Sequence, residues 1–380
     1  MSDAIESFTV TVDAAQIEDL RERLTRARWP DGETPDDWSQ GIPLEYTKAL
    51  CQYWLADYDM QRIAGRLNAF DNFRTEIDGL GFHFLHVRSP EENALPLIMT
   101  HGWPGSVVEF LKVIGPLSDP ASHGGDSADA FHVICPSLPG YGFSDKPREP
   151  GWKVQRVGDA WAVLMQRLGY ERYVAQGGDW GSAVTTAIGA HDSAHCLGIH
   201  LNMVSARPDP DTMDDLTDLE KRGIEGMKHY QDWDSGYSKQ QSTRPQTLGY
   251  GLVDSPIGQA AWIVEKFWSW MDCDGHPENV LTRDELLDNV MMYWIPAAGA
   301  SSARLYWESF GGGGRGGKVE VPTGCSIFPK EIFVCSRRWA EKRFPNIVYW
   351  NELDKGGHFA AFEQPELFVD ELRSCFRHMR

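Results

Sequence analysis

The residues best suited to chemistry lie at positions 176–182, with the sequence QGGDWGS. Residues 173–175 resemble a short buried strand, and the small residues at 183–190 are compatible with a helix. A Gly-x-Asp-x-Gly pattern between a strand and a helix is typical of a sharp turn that exposes a nucleophile, since bulky neighbours would collide there. Asp179 is therefore the candidate nucleophile. The alternative is an ordinary turn in which this aspartate caps the following helix.

A carboxylate that attacks carbon forms an alkyl ester, which suits an electrophilic sp³ carbon such as that of an epoxide or an alkyl halide. Hydrolysis of such an ester requires a base. In α/β-hydrolases the chain order is nucleophile, acid, histidine. His358, in the sequence GGHF, follows the last predicted strand and precedes a predicted terminal helix at 365–378. This position makes His358 the candidate base, whereas most loop histidines are surface residues.

The acid that orients His358 should precede it at the end of a neighbouring strand. Glu331, in the sequence FPKE, follows a strand-like run and meets this condition. Glu352 and Asp354 are alternatives, but they share the strand or loop of the histidine and would have to fold back on it. We therefore expect Glu331 to be the partner of His358.

Backbone donors for an oxyanion are expected from two loops. The sequence HGWPG at 101–105 follows a strand that ends at Thr100. In this type of fold that loop supplies one N–H group, and the residue after the nucleophile supplies the other. The predicted donors are the N–H groups of Trp103 and Trp180, which would stabilise the oxyanion formed when water attacks the ester.

Opening an epoxide also requires an acid, because an unassisted alkoxide is a poor leaving group. A phenol stays protonated at neutral pH and can donate a proton. Tyr237, in DSGY, and Tyr306, in RLYWE, are candidates, but the residues alone do not single them out from the twelve tyrosines of the chain.

The elements around these residues alternate between strands and helices. The predicted strands lie at 8–12, 82–87, 95–100, 131–136, 197–203, 319–328, 331–335 and 346–350, and the predicted helices lie at 14–28, 46–68, 107–117 and 157–168. This rhythm predicts an α/β fold with a mostly parallel sheet and helices on both faces.

The stretch from about 205 to 299 breaks the rhythm, because it is helical in pattern and rich in aromatic residues. Such an insertion predicts a lid, although most of its aromatics must serve packing. We expect an N-terminal extension at 1–90 that packs on core and lid, a core at 91–204 and 301–380, and a lid at 205–300. The sequence GGGGRGG at 311–317 predicts a flexible loop; it lacks the Lys-Ser/Thr ending of a phosphate loop.

Composition narrows the function classes. The chain has 380 residues and a net charge of −19, which argues against nucleic acids or anionic membranes as partners. Its seven scattered cysteines form no CxxC pair, which predicts reduced thiols in a cytoplasmic protein without a zinc site. No segment reaches the roughly 18 apolar residues that span a bilayer, so a soluble protein without a membrane anchor is expected.

The motifs together resemble the epoxide hydrolase family of the microsomal type, whose α/β-hydrolase core carries an N-terminal domain. The matching segments are LRERL at 20–24, RWPD at 28–31, HGWPGS at 101–106, PGYGFS at 139–144, GGDWG at 177–181, DSP at 254–256, FPKE at 328–331 and GGHFAA at 356–361. The resemblance implies that Asp179 is the nucleophile, His358 the base and Glu331 its partner. It also matches Tyr237 and Tyr306 to the lid tyrosines of the family.

The resemblance implies hydrolysis of an epoxide to a vicinal diol, without a cofactor or metal. The expected partners are a small epoxide and water, and the sequence does not decide whether the chain forms a homodimer. Relatives act on lipid, xenobiotic and aromatic epoxides or serve enediyne biosynthesis, so detoxification and aromatic hydrocarbon catabolism are both compatible. The aromatic lid favours a bulky apolar substrate. A haloalkane dehalogenase would use the same Asp and His, and a non-catalytic ligand-binding relative would lack one of the catalytic groups.

Overall fold

A computed structural model describes residues 3–310 and 317–380 of the chain. Nine strands form its central sheet: β1 Ile5–Ser7, β2 Asn72–Ile77, β3 Leu80–Val87, β4 Leu95–Thr100, β5 Phe131–Pro136, β6 Tyr173–Gly177, β7 Cys196–Leu201, β8 Thr323–Ile327 and β9 Ile347–Glu352. Their order across the sheet is β1-β2-β3-β5-β4-β6-β7-β8-β9. The first three strands pair antiparallel, β3 pairs antiparallel with β5, and all later pairs are parallel.

Helices lie between most pairs of successive strands and after the last strand, and several fill the long segment between β7 and β8. They are α1 Ala14–Thr25, α2 Leu44–Ala56, α3 Arg62–Asn68, α4 Ile114–Ser118, α5 Val154–Arg167, α6 Asp179–His191, α7 Asp218–His229, α8 Gly236–Thr243, α9 Pro245–Asp254, α10 Pro256–Trp270, α11 Arg283–Trp294, α12 Gly299–Phe310, α13 Arg337–Ala340, α14 Ala360–Glu363 and α15 Pro365–Phe376. None of the helices in the described ranges is long and apolar enough to cross a membrane.

Helices cover both faces of the sheet, as adjacent residues of β7 demonstrate. The Ile199 side chain lies against Gly189 of α6, whereas the His200 ring lies 6.2 Å from the Phe376 ring of α15. Because successive side chains of a strand point to opposite faces, α6 and α15 must lie on opposite sides. The predicted mostly parallel sheet with helices on both faces is confirmed.

Two predicted strands are wrong. Residues 8–12 lie outside the sheet, because the Asn68 side chain takes the place of a neighbouring strand: its Oδ1 accepts from the Val10 amide at 2.9 Å and its Nδ2 donates to the Val10 carbonyl at 2.9 Å. Residues 331–335 are also not a strand. Glu331 turns back on itself there, and its Oε1 accepts from the Ile332 amide at 2.6 Å.

Two predicted helices are broken. The segment 46–68 contains α2 and α3 with a turn between them, and the segment 107–117 contains a 3₁₀ turn, Val107–Phe110, followed by α4. The predicted flexible loop at 311–317 lies outside the described residues except for Gly317.

The sheet brings the functional loops to one edge. Thr100 at the end of β4 is in register with Gly177 at the end of β6. The chain crosses from β5 over β4 to reach β6, so the strand order reverses at β4. In open α/β sheets, such a reversal leaves a crevice at the carboxyl ends of the strands, where ligands bind.

Helices of the insertion contact the N-terminal segment through a buried carboxylate. Asp288 of α11 accepts from the Tyr58 hydroxyl at 2.8 Å, from Arg62 at 3.2 Å and from Arg66 at 3.0 Å. The Asp288 side chain is fully buried. Removing either arginine would leave this charge incompletely paired, so the contact ties the N-terminal helices to α11.

Candidate active site

Asp179 lies at the junction of β6 and α6 in an unusual backbone conformation. Its φ angle is 48°, in the left-handed region that residues with a side chain rarely adopt. Such a conformation costs on the order of 1–3 kcal/mol and persists only where the surrounding fold enforces it. Here a side chain at position 181 would overlap the Thr100 carbonyl, so Gly181 allows α6 to approach β4 closely. The turn presents the Asp179 carboxylate at the carboxyl edge of the sheet.

The loop after β4 donates a hydrogen bond to this carboxylate. The Trp103 amide donates to Asp179 Oδ1 at 2.8 Å. A side chain at Gly102 would occupy the space of the Asp179 side chain, which explains the glycine before Trp103. The predicted donor and the predicted nucleophile are thus in direct contact.

Helix α11 also holds the same loop in place. Asn289 Nδ2 donates to the Pro104 carbonyl at 2.8 Å, and the Tyr293 hydroxyl donates to the Gly105 carbonyl at 2.7 Å. The Ser106 hydroxyl donates to Asn289 Oδ1 at 2.8 Å. The position of the Trp103 amide therefore depends on residues nearly 190 positions away in the sequence.

Trp180, the second predicted donor, stands in the first turn of α6, where amide groups have no acceptor within the helix. Within the described ranges, the structure gives no hydrogen bond from this amide to Asp179. Its indole ring packs edge-on against Tyr306 with ring centroids 4.8 Å apart. Trp180 is therefore adjacent to one of the predicted phenols, Tyr306, as well as to the nucleophile.

His358 lies between two carboxylates. Its Nε2 is 3.3 Å from Asp179 Oδ2, and its Nδ1 is 2.6 Å from Glu331 Oε1. His358 and Glu331 are both buried. The alternatives for the acid lie elsewhere: Glu352 is exposed and accepts from the Trp350 indole, and Asp354 is exposed.

The charge of these carboxylates governs the protonation of His358. Burial opposes its positive charge, but the nearby Glu331 and Asp179 outweigh burial and hold the pKa of His358 well above its ordinary value. This shift favours the imidazolium form, paired with both carboxylates. Loss of either negative charge would lower its pKa.

The two predicted tyrosines come together from α8 and α12. Tyr237 and Tyr306 are buried, and their ring centroids lie 5.8 Å apart. Tyr237 stacks on the Trp103 indole at 4.9 Å with an interplanar angle of 9°, and Tyr306 meets that indole edge-on at 5.9 Å. Burial, the neighbouring phenol and Asp179 raise the pKa of each tyrosine well above 10. Both hydroxyls therefore stay protonated at neutral pH.

Comparison with known proteins gives the same picture over the whole chain. The family described as "Epoxide hydrolase N terminus" matches residues 5–110, and the family described as "alpha/beta hydrolase fold" matches residues 96–238. The chain is 54% identical to a candidate epoxide hydrolase of Stigmatella aurantiaca, covering 99% of this chain and 86% of that protein. It is 35% identical to Epoxide hydrolase 1 of Sus scrofa, with 98% and 88% covered.

The chain belongs to the epoxide hydrolase family. The solved structure of the Aspergillus niger epoxide hydrolase superposes with a TM-score of 0.90 at 31% identity, covering 99% of this chain and 97% of that one. The chain thus has the α/β-hydrolase fold that its motifs predict, with an epoxide hydrolase N-terminal segment.

Three side chains close to the predicted site residues were not identified from the sequence. The first is Tyr230, whose hydroxyl lies 3.2 Å from the Tyr237 hydroxyl and 3.0 Å from Ser238 Oγ. It therefore connects Tyr237 to a hydrogen-bond chain. Its position seven residues before Tyr237, about two helical turns, is the only indication in the sequence.

The second group is Glu109, in the sequence S-x-x-E at 106–109, a pattern typical of a helix N-terminus. Its carboxylate accepts from the Ser106 amide, and burial raises the pKa of Glu109 to about 8, with His358 and Asp179 exerting opposite influences. Glu109 also lines a small cavity together with those two residues. The S-x-x-E pattern indicates a helix cap, but it does not indicate that Glu109 shares a cavity with Asp179 and His358.

The third group is Glu363, which holds the loop that carries His358. Its Oε1 accepts from the Phe359 amide at 3.0 Å and its Oε2 from the Asp272 amide at 2.9 Å. Burial raises the pKa of Glu363 to about 7. The His358 amide itself donates to the Trp270 carbonyl at 2.9 Å, so two separate contacts fix the loop.

His101, by contrast, supports the loop after β4 through contacts of both ring nitrogens. Its Nε2 accepts from the Leu138 amide at 3.2 Å, which leaves the proton on Nδ1, 2.9 Å from the Gly102 carbonyl. Burial lowers the pKa of His101 to about 4, so it is neutral. Both ring nitrogens are occupied, and the residue serves to shape the loop after β4.

Proposed function

We propose that this enzyme converts an epoxide to a vicinal diol through a covalent ester on Asp179. The observation that carries the proposal is the placement of two buried phenols, Tyr237 and Tyr306, against the indole of Trp103. The amide of Trp103 donates to the Asp179 carboxylate, which also contacts His358. A hydroxyl donor is needed where an alkoxide forms, and a carboxylate can attack the carbon on the opposite side of the ring.

In the first step, Asp179 Oδ2 attacks one ring carbon while the C–O bond of the epoxide breaks. Tyr237 or Tyr306 gives its proton to the departing oxygen. Oδ1 stays on the Trp103 amide and becomes the carbonyl oxygen of the ester. The proton lost by the phenol is replaced from solvent.

Alkylation prepares His358 for the second step. The ester carries no charge, so one of the two carboxylates that raise the pKa of His358 is lost. The imidazolium then releases its Nε2 proton to solvent and becomes a base, while Glu331 keeps Nδ1 oriented through the 2.6 Å contact. Because the pKa of His358 falls only when Asp179 is esterified, His358 becomes a base only after the ester has formed.

Water then attacks the carbonyl carbon of the ester and gives a proton to His358 Nε2. The resulting oxyanion accepts from the Trp103 and Trp180 amides. Its collapse breaks the bond between the Asp179 carbonyl carbon and the alkyl oxygen, and the imidazolium returns a proton to that oxygen. Asp179 is left as a carboxylic acid, which gives its proton to His358 Nε2 and so restores the ion pair of the free enzyme. The diol then leaves.

We also propose that residues 205–300 form a lid over the core, with the segment 1–90 supporting it. A groove of about 760 Å³ runs to Tyr237 between these two segments. Its aromatic lining is shared by Trp38, Trp233, Trp262 and Trp268. Charged residues, among them Asp234, Glu265 and Lys266, also line the groove, so only its aromatic part supports a bulky apolar or aromatic epoxide as substrate.

The test is a panel of terminal, aryl and internal epoxides, with haloalkanes as the matched controls. We expect diol formation from at least one aryl epoxide, with a measurable enantiomeric preference by chiral chromatography. Halide release that is faster than the opening of every epoxide would assign the protein to dehalogenation. Absence of turnover with all members of both sets would favour a non-catalytic relative.

A further inference from the structure

A small cavity adjoins the proposed nucleophile. Its volume is about 20 Å³, and Asp179, His358 and Glu109 all line it. A cavity needs roughly 10–15 Å³ to hold one water molecule, so this one accommodates a single water and excludes a substrate. The substrate must therefore approach Asp179 from elsewhere, on the side of the two phenols.

The lining of the cavity also calls for a polar occupant. Two of its residues carry buried polar atoms, Thr100 Oγ1 and Gln176 Oε1, that have no hydrogen-bond partner among the described residues. Buried polar atoms are nearly always paired with protein or with ordered water. Phe110 and Phe359 also line the cavity, so a water molecule inside it can form hydrogen bonds only with the polar lining residues.

Glu109 is held in this cavity by local geometry. It belongs to the 3₁₀ turn Val107–Phe110, and its carboxylate accepts from the Ser106 amide. A side chain at Gly105 would overlap Glu109 Oε1, so the glycine provides the space that the carboxyl group fills. A carboxyl group enclosed in this way is close to both reacting residues of the second half-reaction.

We propose that Glu109 is a positioning residue that holds the hydrolytic water between itself and His358. One O–H of the water points to His358 Nε2 and is the proton removed. The other O–H donates to a carboxyl oxygen of Glu109, which orients the water oxygen toward the ester carbon. Glu109 takes no proton and forms no covalent bond. The inference rests on the proposed function, because it concerns the hydrolysis of the Asp179 ester.

The competing explanation is that Glu109 only caps the turn at Val107. Three variants separate the two roles. Glu109→Leu removes both the cap and the acceptor for water, whereas Glu109→Gln keeps a carbonyl oxygen for either task. Ser106→Ala is the structural control, since it removes the hydroxyl that accepts from the Val108 amide at 3.3 Å and donates to Asn289 Oδ1 at 2.8 Å, and it leaves the Glu109 carboxyl group in place.

The experiment is a single turnover with styrene oxide, quenched in acid at set times. Intact-mass spectrometry of the protein gives the rates of ester formation and ester decay separately. We expect Glu109→Leu to form the ester at close to the parent rate but to hydrolyse it about 10²-fold more slowly, the cost of a misplaced reactant. Glu109→Gln should recover most of that loss. Ser106→Ala should change both steps to a similar degree.

Ester decay at the parent rate in Glu109→Leu would overturn the inference. So would an equal slowing of both steps in that variant, which would leave Glu109 a structural role only. A Glu109→Gln variant as slow as Glu109→Leu would exclude orientation through a hydrogen bond. If the parent enzyme turns over without any ester, the covalent route itself is wrong, a failure distinct from that of Glu109.

Discussion

His358 Nε2 lies 3.3 Å from Asp179 Oδ2, close enough for an ion pair in the free enzyme. In the proposed mechanism, the same contact places the ring nitrogen beside the carbon that water attacks once Asp179 is esterified. One geometry therefore serves two states. In the first state the carboxylate raises the pKa of the histidine, and in the second state its neutral ester no longer does so.

The first prediction separates the two half-reactions through His358. Replacement by Gln removes the base but leaves the Asp179 carboxylate able to open the ring, because that attack requires no proton removal from the nucleophile. We expect a stable adduct by intact-mass spectrometry after addition of substrate. Rapid multiple turnover by His358→Gln would assign the base to another residue.

The second prediction concerns Glu331. Glu331→Gln keeps the volume but removes a buried charge that raises the pKa of His358. We expect ester hydrolysis to slow by about 10²–10⁴, since loss of the orienting acid in comparable triads has effects up to this size. Ring opening, followed in the same quenched samples, should change much less. Hydrolysis at the parent rate would contradict the role of Glu331.

The third prediction tests the phenols. Changing Tyr237 or Tyr306 to Phe removes one donor and little volume, so the fold should survive. General-acid assistance is worth about 10²–10⁴ in rate, but each phenol partly covers for the other. We expect moderate slowing of ester formation in each single variant and near loss in the double variant, by rapid-quench kinetics. A double variant that opens epoxides at the parent rate would contradict the assignment.

The fourth prediction links pH to stability through Glu109. Burial raises its pKa from an ordinary value of 4.5 to about 8 in the folded protein; Asp179 and Glu363 also raise it, and His358 lowers it. Below pH 4.5 the group is protonated in both states, and as the pH rises toward 8 only the unfolded state ionises freely. The carboxyl group therefore costs stability progressively across this window.

Glu109→Gln does not ionise, so its melting temperature should rise relative to that of the parent between pH 5 and pH 8. Differential scanning calorimetry at both pH values measures the difference. The same variant at pH 4 is the internal control, because the parent carboxyl group is then protonated in the folded and unfolded chains alike. A difference that is constant with pH would mean that Glu109 has an ordinary pKa.

Much of the site could be predicted because local sequence dictates its shape. The turn at Asp179 requires glycine at position 181, where α6 contacts Thr100. The same close packing therefore explains both the Gly-x-Asp-x-Gly pattern and the strained backbone. Chain order then limited the choice of histidine and acid. The parallel sheet followed from the alternation of strand and helix patterns, which is a property of the whole core.

The features that could not be predicted depend on contacts between segments that are distant in the sequence. Tyr237 and Tyr306 meet only because α8 and α12 pack together, and spacing does not encode that contact. Glu109 lies beside His358 although some 250 positions separate them in the sequence. The strand predicted at 8–12 failed for a similar reason, because the side chain of Asn68 satisfies the Val10 backbone.

The most direct test of the account is a single turnover in ¹⁸O-water with enzyme in excess over epoxide. Water attacks the ester carbonyl carbon, so one ¹⁸O atom should enter the Asp179 carboxylate while the diol carries an unlabelled oxygen from Oδ2. Mass spectrometry of the peptide that contains Asp179 and of the diol measures both. Label in the diol alone, with an unlabelled peptide, would mean direct attack of water on the epoxide and would contradict the covalent mechanism.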